Sequence, residues 1–185
     1  MNNLIIVVEG ADLVGKSTVI NEVRKKLPEV IRVKFDRIPD DLEVNLRTDN
    51  SFGKIMRYAD DTVYKVISQI KDKIFMMDRF IVSELIYTKL LKRKSYETIE
   101  NILNKEMTII ILTASEDVIR ERIRQRYEDI FKIDEILKIN NFFFNFYLNN
   151  IGKIQNFFYF ENNNQNDLLN ITKFIIRKIN YDRKS

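Results

Sequence analysis

Near the start of the chain, Gly10-Ala11-Asp12-Leu13-Val14-Gly15-Lys16-Ser17 matches the pattern G-x-x-x-x-G-K-[ST] residue for residue. Such a loop holds phosphates. Its glycines let the backbone curl so that successive N–H groups point inward at an anion, and the helix that follows adds its positive N-terminal end. Lys16 then reaches the β- and γ-phosphates, and the Ser17 hydroxyl ligates Mg²⁺. With Thr18, the loop makes up the expected nucleotide-phosphate site. The chain has only four glycines and two of them lie here, so a chance turn explains the match poorly.

Further groups suited to phosphate chemistry recur along the chain. Asp78-Arg79 closes an apolar run and is followed by Phe80, Ser83 and Tyr87. An acid in that position holds Mg²⁺ directly or through water, and Arg79 clamps a phosphate; the alternative is a helix-capping Asp beside a surface Arg. Arg120, Arg122, Arg124 and Arg126 fall on one predicted helix and its end. At about 100° per residue, Arg122 and Arg126 intrude on the apolar stripe of Val118, Ile119 and Ile123, while Arg120 and Arg124 point to solvent. Guanidiniums aimed inward would stabilise charge on a transferring phosphoryl group. Arg37-Ile38-Pro39 leaves a strand end, so Arg37 meets either an acceptor phosphate or solvent. Glu9, just before the loop, is open to three roles: a base, an indirect Mg²⁺ partner or a structural hydrogen-bond acceptor.

Composition narrows the chemistry. With no histidine, any general base is a carboxylate, a lysine, a tyrosine or a water. With no cysteine, disulfides, thiolate zinc sites and thiol nucleophiles are excluded. The net charge is +4, from scattered basic residues without a long Lys/Arg block. That balance suits anionic small molecules, and no stable nucleic-acid binding is expected. No apolar run approaches the roughly 20 residues of a membrane span, and the start reads as a first strand rather than a signal peptide.

These residues need a scaffold. Apolar runs at 4–8, 30–35, 73–77, 107–112 and 157–160 read as strands. Helical spacing appears over 17–26, 52–70, 81–91, a short stretch reaching 103, 116–126, 133–148 and 168–179. Strands alternating with helices, without hairpin signals, predict a three-layer α/β fold with a five-stranded parallel sheet. Ligands then bind beyond the carboxyl ends of the strands, where each group above falls. The phenylalanines at 142–144 and 146 read as core and helix packing.

The sequence resembles the thymidylate kinase and deoxynucleoside kinase superfamily of P-loop kinases, most closely thymidylate kinase. The similarity runs through VVEGADLVGKST, KFDRIP, MMDRFIVSELIY and LTASEDVIRERIRQR. It implies one nucleotide kinase-like domain, with a small lid near 124–132. Asp12 looks like the acid that approaches the acceptor sugar. Arg37-x-Pro39 is similar to the element that places an Arg on the acceptor phosphate. Asp78-Arg79-Phe80-x-x-Ser83-x-x-x-Tyr87 is close to the family's DRY-x-x-S-x-x-x-Y pattern. By that resemblance Asp78 serves the Mg²⁺–phosphate site, Arg79 the acceptor phosphate, and Ser83 and Tyr87 the acceptor-pocket wall. Arg122 and Arg126 match the arginines leading into the lid, and 161–166 corresponds to where adenine rests.

The acceptor half departs from the family. Ala59-Asp60-Asp61 stands where A-D-R is usual, leaving Arg57 as the substitute, while Phe52 and Met56 are both candidates for base stacking. LTAS at 112–115 looks more like the deoxynucleoside kinase branch. A monophosphate acceptor is already anionic and needs cations, which Arg37 and Arg79 provide; a nucleoside hydroxyl needs a base, for which Glu9 and Asp78 are the candidates. The expectation is therefore an ATP- and Mg²⁺-dependent (deoxy)nucleoside monophosphate kinase acting on dTMP or a related dNMP in cytoplasmic nucleotide biosynthesis. The alternatives are a deoxynucleoside kinase using Glu9 as base and a non-catalytic nucleotide-binding protein. The resemblance also implies a possible homodimer through the helix at 81–91.

Overall fold

The computed structural model describes residues 3–34, 50–90, 98–125 and 133–184, and in the helix that begins at Asn50 it describes side chains from residue 58 onward. Its centre is a five-stranded sheet made of β1 (Leu4–Glu9), β2 (Val30–Lys34), β3 (Ile74–Asp78), β4 (Thr108–Thr113) and β5 (Phe157–Glu161), in the order β2-β3-β1-β4-β5. Every pairing is parallel. β3 and β4 are buried at every residue, and β1 at every residue after Leu4. Strands covered on both faces read as continuous apolar runs, which is why these were visible as runs rather than as alternation.

The helices are α1 (Lys16–Lys26), α2 (Asn50–Gln69), α3 (Ile81–Leu90), α4 (Ile99–Leu103), α5 (Glu116–Arg124), α6 (Ile133–Asn150) and α7 (Gln165–Asp182). α1 buries Val19, Ile20 and Val23, the face its spacing predicts, and packs beside α7. α6 lies on β4 through Ile136, Ile139 and Phe143. Of its aromatics, Phe143 is fully enclosed and Phe144 is 37% exposed. α3 runs between α2 and α6, and six of its ten residues are buried within this chain.

Several element ends differ from expectation. β1 runs on to Glu9 and β3 to Asp78, since Glu9 still pairs with Ile111 of β4 and Asp78 with Val8 of β1. α7 starts at Gln165, three residues before the expected start at 168. The cause is a capping box: Asn164 accepts from the Asn166 and Asp167 backbone N–H groups, and Asp167 accepts from the Asn164 N–H. α5 ends at Arg124, and the expected lid beyond Gln125, with Arg126, lies outside the described residues. No helix among the described residues is long and apolar enough to cross a membrane.

Register decides where the chemistry gathers. Val8, Asp78 and Lys34 are cross-strand partners, so β1, β3 and β2 end level with one another. The loop after β1 therefore emerges beside Asp78 and Arg79. From β1 the chain departs first towards β2 and β3, then returns to β4 on the opposite side. A crevice opens where strand order divides in this way.

Candidate active site

The turn from β1 into α1 is built on left-handed backbone. Gly10 has φ +151° and Gly15 φ +89°. A Cβ on Gly10 would stand 2.3 Å from the Leu112 carbonyl oxygen, and one on Gly15 would stand 2.4 Å from Asn162 Nδ2. Glycine is thus required by space as well as by conformation. Leu13 also has positive φ, a strained state for a branched side chain and of the kind that concentrates at ligand clamps.

Lys16 is buried and folded over this turn, donating to the carbonyls of Gly10 (3.0 Å) and Ala11 (2.6 Å). Burial, and then the nearby Arg79, pull its ammonium down to about 7. Asp12, Asp78 and Glu9 pull the other way without prevailing. A phosphate arriving in the loop would restore the lost charge.

Ser17, the second residue of α1, donates its hydroxyl to Asp78 Oδ2 at 2.7 Å. Arg32 of β2 joins both, its Nη2 lying 2.5 Å from Asp78 Oδ2 and 2.9 Å from Ser17 Oγ. Burial opposes the charged form of Asp78, but the bonds from Ser17 and Arg32 and the charge of Lys16 hold the carboxyl below its usual range. Among the described residues no group of three or more acidic, His or Cys side chains could hold a metal ion. One hydroxyl and one carboxylate are hard oxygen donors, and with nucleotide phosphates they fit Mg²⁺, which takes few protein ligands.

On the other side of the loop, Arg79 has φ +72° and is held by its own N–H to the Val8 carbonyl (3.0 Å). Its guanidinium pairs with Asp12 at 2.5 Å and lies 5.0 Å from the centre of the Tyr87 ring. Arg79, Asp12 and Tyr87 thus form one cluster beside the phosphate loop.

Glu9 is fully buried. Its Oε1 accepts from the N–H groups of Phe80 (2.9 Å) and Val82 (3.1 Å), and its Oε2 accepts from the Ser83 hydroxyl. Burial raises its carboxyl above the usual range despite the bonds from Ser83 and the charge of Arg79. Of the three roles open to it in the sequence, the geometry is that of a structural acceptor. The hydroxyl of Ser83, expected on the acceptor-pocket wall, is spent on Glu9.

Arg122 projects from α5 onto the loop. Nη1 donates to the Leu13 carbonyl (2.7 Å) and Nη2 to the Asn162 carbonyl (2.9 Å). Asn162 in turn donates to the Val14 carbonyl at 2.9 Å. Arg120, by contrast, pairs with Glu116 on the exposed face. A cleft of about 510 Å³ opens here, lined by Lys16, Thr18, Arg122, Gln125, Asn164 and Gln165.

Arg37 and Arg126 lie outside the described residues, as do the side chains of Phe52, Met56 and Arg57 in the first part of α2. Asp61, at the position where the resemblance expects an arginine, pairs with Lys105 at 2.8 Å. Two residues at the site carry no sequence signal of their own. Arg32 sits in an alternating edge strand, where a charged residue ordinarily faces solvent. In β2, Ile31 is instead 41% exposed while Arg32 turns to Asp78. Asn162 is one of several asparagines in a loop, and only its contacts with Val14, Gly15 and Arg122 distinguish it.

Comparison with known proteins bears on the fold. No protein-family model matches the chain, and no curated protein does. Solved structures do. Deoxyadenosine kinase from M. mycoides with bound dATP superposes with a TM-score of 0.67 at 19% identity, over 96% of this chain and 100% of that one. The YorR protein from Bacillus subtilis, in complex with phosphorylated GDP, gives 0.66 at 21% identity, over 98% of each chain. Thymidylate kinase from Candida albicans gives 0.60 at 17% identity, over 98% of this chain and 93% of that one. The chain therefore has the three-layer α/β fold of the P-loop kinases, the fold that its sequence resemblance implies.

Proposed function

We propose that the protein is an ATP- and Mg²⁺-dependent (deoxy)nucleoside monophosphate kinase, similar to thymidylate kinase, that phosphorylates dTMP or a related dNMP. The observation that carries this reading is the Arg79–Asp12–Tyr87 cluster directly beside the phosphate loop. It sets a cation and an aromatic wall where an acceptor monophosphate would lie across from the donor. The loop amides and Lys16 hold the donor phosphates, and Arg122 brings a second positive charge to the same edge. Ser17 and Asp78 are the residues that would hold Mg²⁺, whose chemistry there would be neutralisation of phosphate charge. The acceptor oxygen of a monophosphate is already anionic, so orientation by Arg79 suffices and no base is required. The sealed position of Glu9 accords with that.

A second reading, a deoxynucleoside kinase, draws support from the M. mycoides deoxyadenosine kinase match. It needs a base for a 5′-hydroxyl, and Glu9 has both carboxylate oxygens engaged, which leaves Asp78. On the resemblance alone we also assign a cytoplasmic setting, a lid formed by 124–132 and a possible homodimer. A dimer through α3 would have to use the few residues of that helix not already buried.

Steady-state turnover with Mg·ATP against dTMP, the other dNMPs and the deoxynucleosides tests the proposal. Turnover of a monophosphate is expected, and turnover of nucleosides only would overturn it. ATP binding without transfer to any acceptor would favour a non-catalytic nucleotide-binding protein. Arg122→Ala should lower kcat by a factor on the order of 10³ in a kinase and change no biological readout in a mere binder.

A further inference from the structure

Arg32 has no part in the chemistry proposed above, yet it sits at the centre of the metal-binding face. Its Nη2 donates to Ser17 Oγ and Asp78 Oδ2, the two oxygens that the kinase reading gives to Mg²⁺. Nη1 reaches Asn21 Oδ1 of α1 only at 3.4 Å. Nε is buried and makes no hydrogen bond among the described residues. The guanidinium is therefore largely withdrawn from water without its donors being fully used, an arrangement that costs free energy unless a charge holds it there. Asp78 is that charge. The β2–β3 register sets Arg32 opposite Met76 and Lys34 opposite Asp78, so Arg32 reaches forward along the strand to meet the carboxylate. Its side chain is 21% exposed, which leaves it a way out towards solvent.

A guanidinium and a divalent cation cannot both use these two oxygens. The guanidinium takes up lone pairs on Ser17 Oγ and Asp78 Oδ2 that a metal bound there would need, and the two charges repel at contact distance. We infer that Arg32 is a tethered cation that occupies the Ser17–Asp78 pair in the nucleotide-free protein and is displaced when a nucleotide-borne divalent cation arrives. Arg32 is thus a positioning residue for the metal. It keeps the buried carboxylate of Asp78 paired before substrate binds, and it suppresses binding of free divalent cations. Nucleotide phosphates bring the negative charge that lets the metal replace it, so metal and nucleotide enter together. This rests on the kinase reading of the loop.

The test is direct binding of Mn²⁺ to the full chain, read from the electron paramagnetic resonance signal of free Mn²⁺. Wild type, Arg32→Met, Arg32→Lys and the double variant Arg32→Met/Asp78→Asn are titrated with and without a non-hydrolysable ATP analogue. Arg32→Met is expected to bind Mn²⁺ on the order of tenfold tighter than wild type, most visibly without nucleotide. Arg32→Lys should gain a few-fold, since a point charge matches two oxygens less well than a planar fork. The double variant should lose the gain. Unchanged Mn²⁺ affinity in Arg32→Met, with the analogue still bound, overturns the inference and spares the kinase reading. If Arg32→Met shows no cooperative melt, unchanged affinity in Arg32→Lys overturns it equally. No analogue binding to wild type overturns the kinase reading and this inference with it.

Discussion

Glu9 closes β1 and Asp78 closes β3, the strand beside it, with Val8 and Asp78 in register. Both are buried carboxylates at the same edge of the same sheet. Glu9 turns away from the phosphate loop and accepts two backbone N–H groups and a hydroxyl from the start of α3. It fastens the β3–α3 turn and thereby the strained backbone of Arg79. Asp78 turns towards α1 and β2 and is held by two side chains, Ser17 and Arg32, each able to move. Immobile N–H partners make a carboxylate structural, whereas exchangeable side-chain partners leave it able to take a metal. In the proposed kinase the same residue type thus serves two ends, and its partners decide which.

The sharpest way to break this comparison is to remove each carboxylate and ask which property falls. Asp78→Asn should reduce kcat by a factor on the order of 10³, about 4 kcal/mol in the barrier; with Arg32 free to swing to the solvent that already reaches it, the change in unfolding free energy should stay at about 1 kcal/mol. Steady-state rates with chemical denaturation read both; full activity in this variant would end the metal-site assignment. Glu9→Ala should do the reverse, lowering stability by about 3 kcal/mol because two buried N–H groups lose their acceptor. Glu9→Gln, which keeps a carbonyl oxygen for those groups, should recover most of that loss. Equal melting temperatures for the alanine and glutamine variants would contradict the structural role.

Lys16 carries the comparison into pH. Burial, and next Arg79, lower its ammonium from the ordinary value of 10.5 to about 7. Between those values the folded chain has released a proton that the unfolded chain retains. The destabilisation is therefore fully present below about 7, and stability rises as pH climbs towards about 10.5. Phosphate binding restores the charge, so at pH 8 nucleotide binding should take up close to one proton and weaken by about tenfold per unit above the shifted value. Calorimetry in buffers of different ionisation enthalpy measures this. Identical heats in all buffers would refute it, and Lys16→Met should abolish the uptake.

The smallest expected effect belongs to Asn162→Ala. It removes one bond to the Val14 carbonyl and should weaken ATP binding by about 1 kcal/mol, leaving the acceptor KM unchanged. A loss confined to the acceptor would place Asn162 on the wrong side of the cleft.

Much of this site could be read without coordinates because its parts are local. The turn from Gly10 to Ser17 is contiguous, its glycines are demanded by left-handed backbone, and the flanking apolar run and helix are set by short-range patterning. Arg122 was legible for a related reason, since an arginine inside an apolar helical stripe must point at something, and it points at Leu13 and Asn162. The start of α7 was legible in principle too: Asn164 and Asp167 spell a capping box, although the helix was expected only from 168.

The amino-acid sequence by itself determined the phosphate loop, the parallel sheet and the gathering of acid and arginine at the strand ends. These follow from adjacent residues and from hydrophobic period. Only the tertiary structure decided what each group holds. Glu9 could have been base, metal partner or anchor until the turn from β3 into α3 brought Phe80, Val82 and Ser83 onto it. Arg32 carries no signal in the sequence, and only the register of β2 with β3 brings it to Asp78 and Ser17. Partners separated by dozens of residues meet only when strands pair, and no local pattern encodes which face of an edge strand will be turned inward.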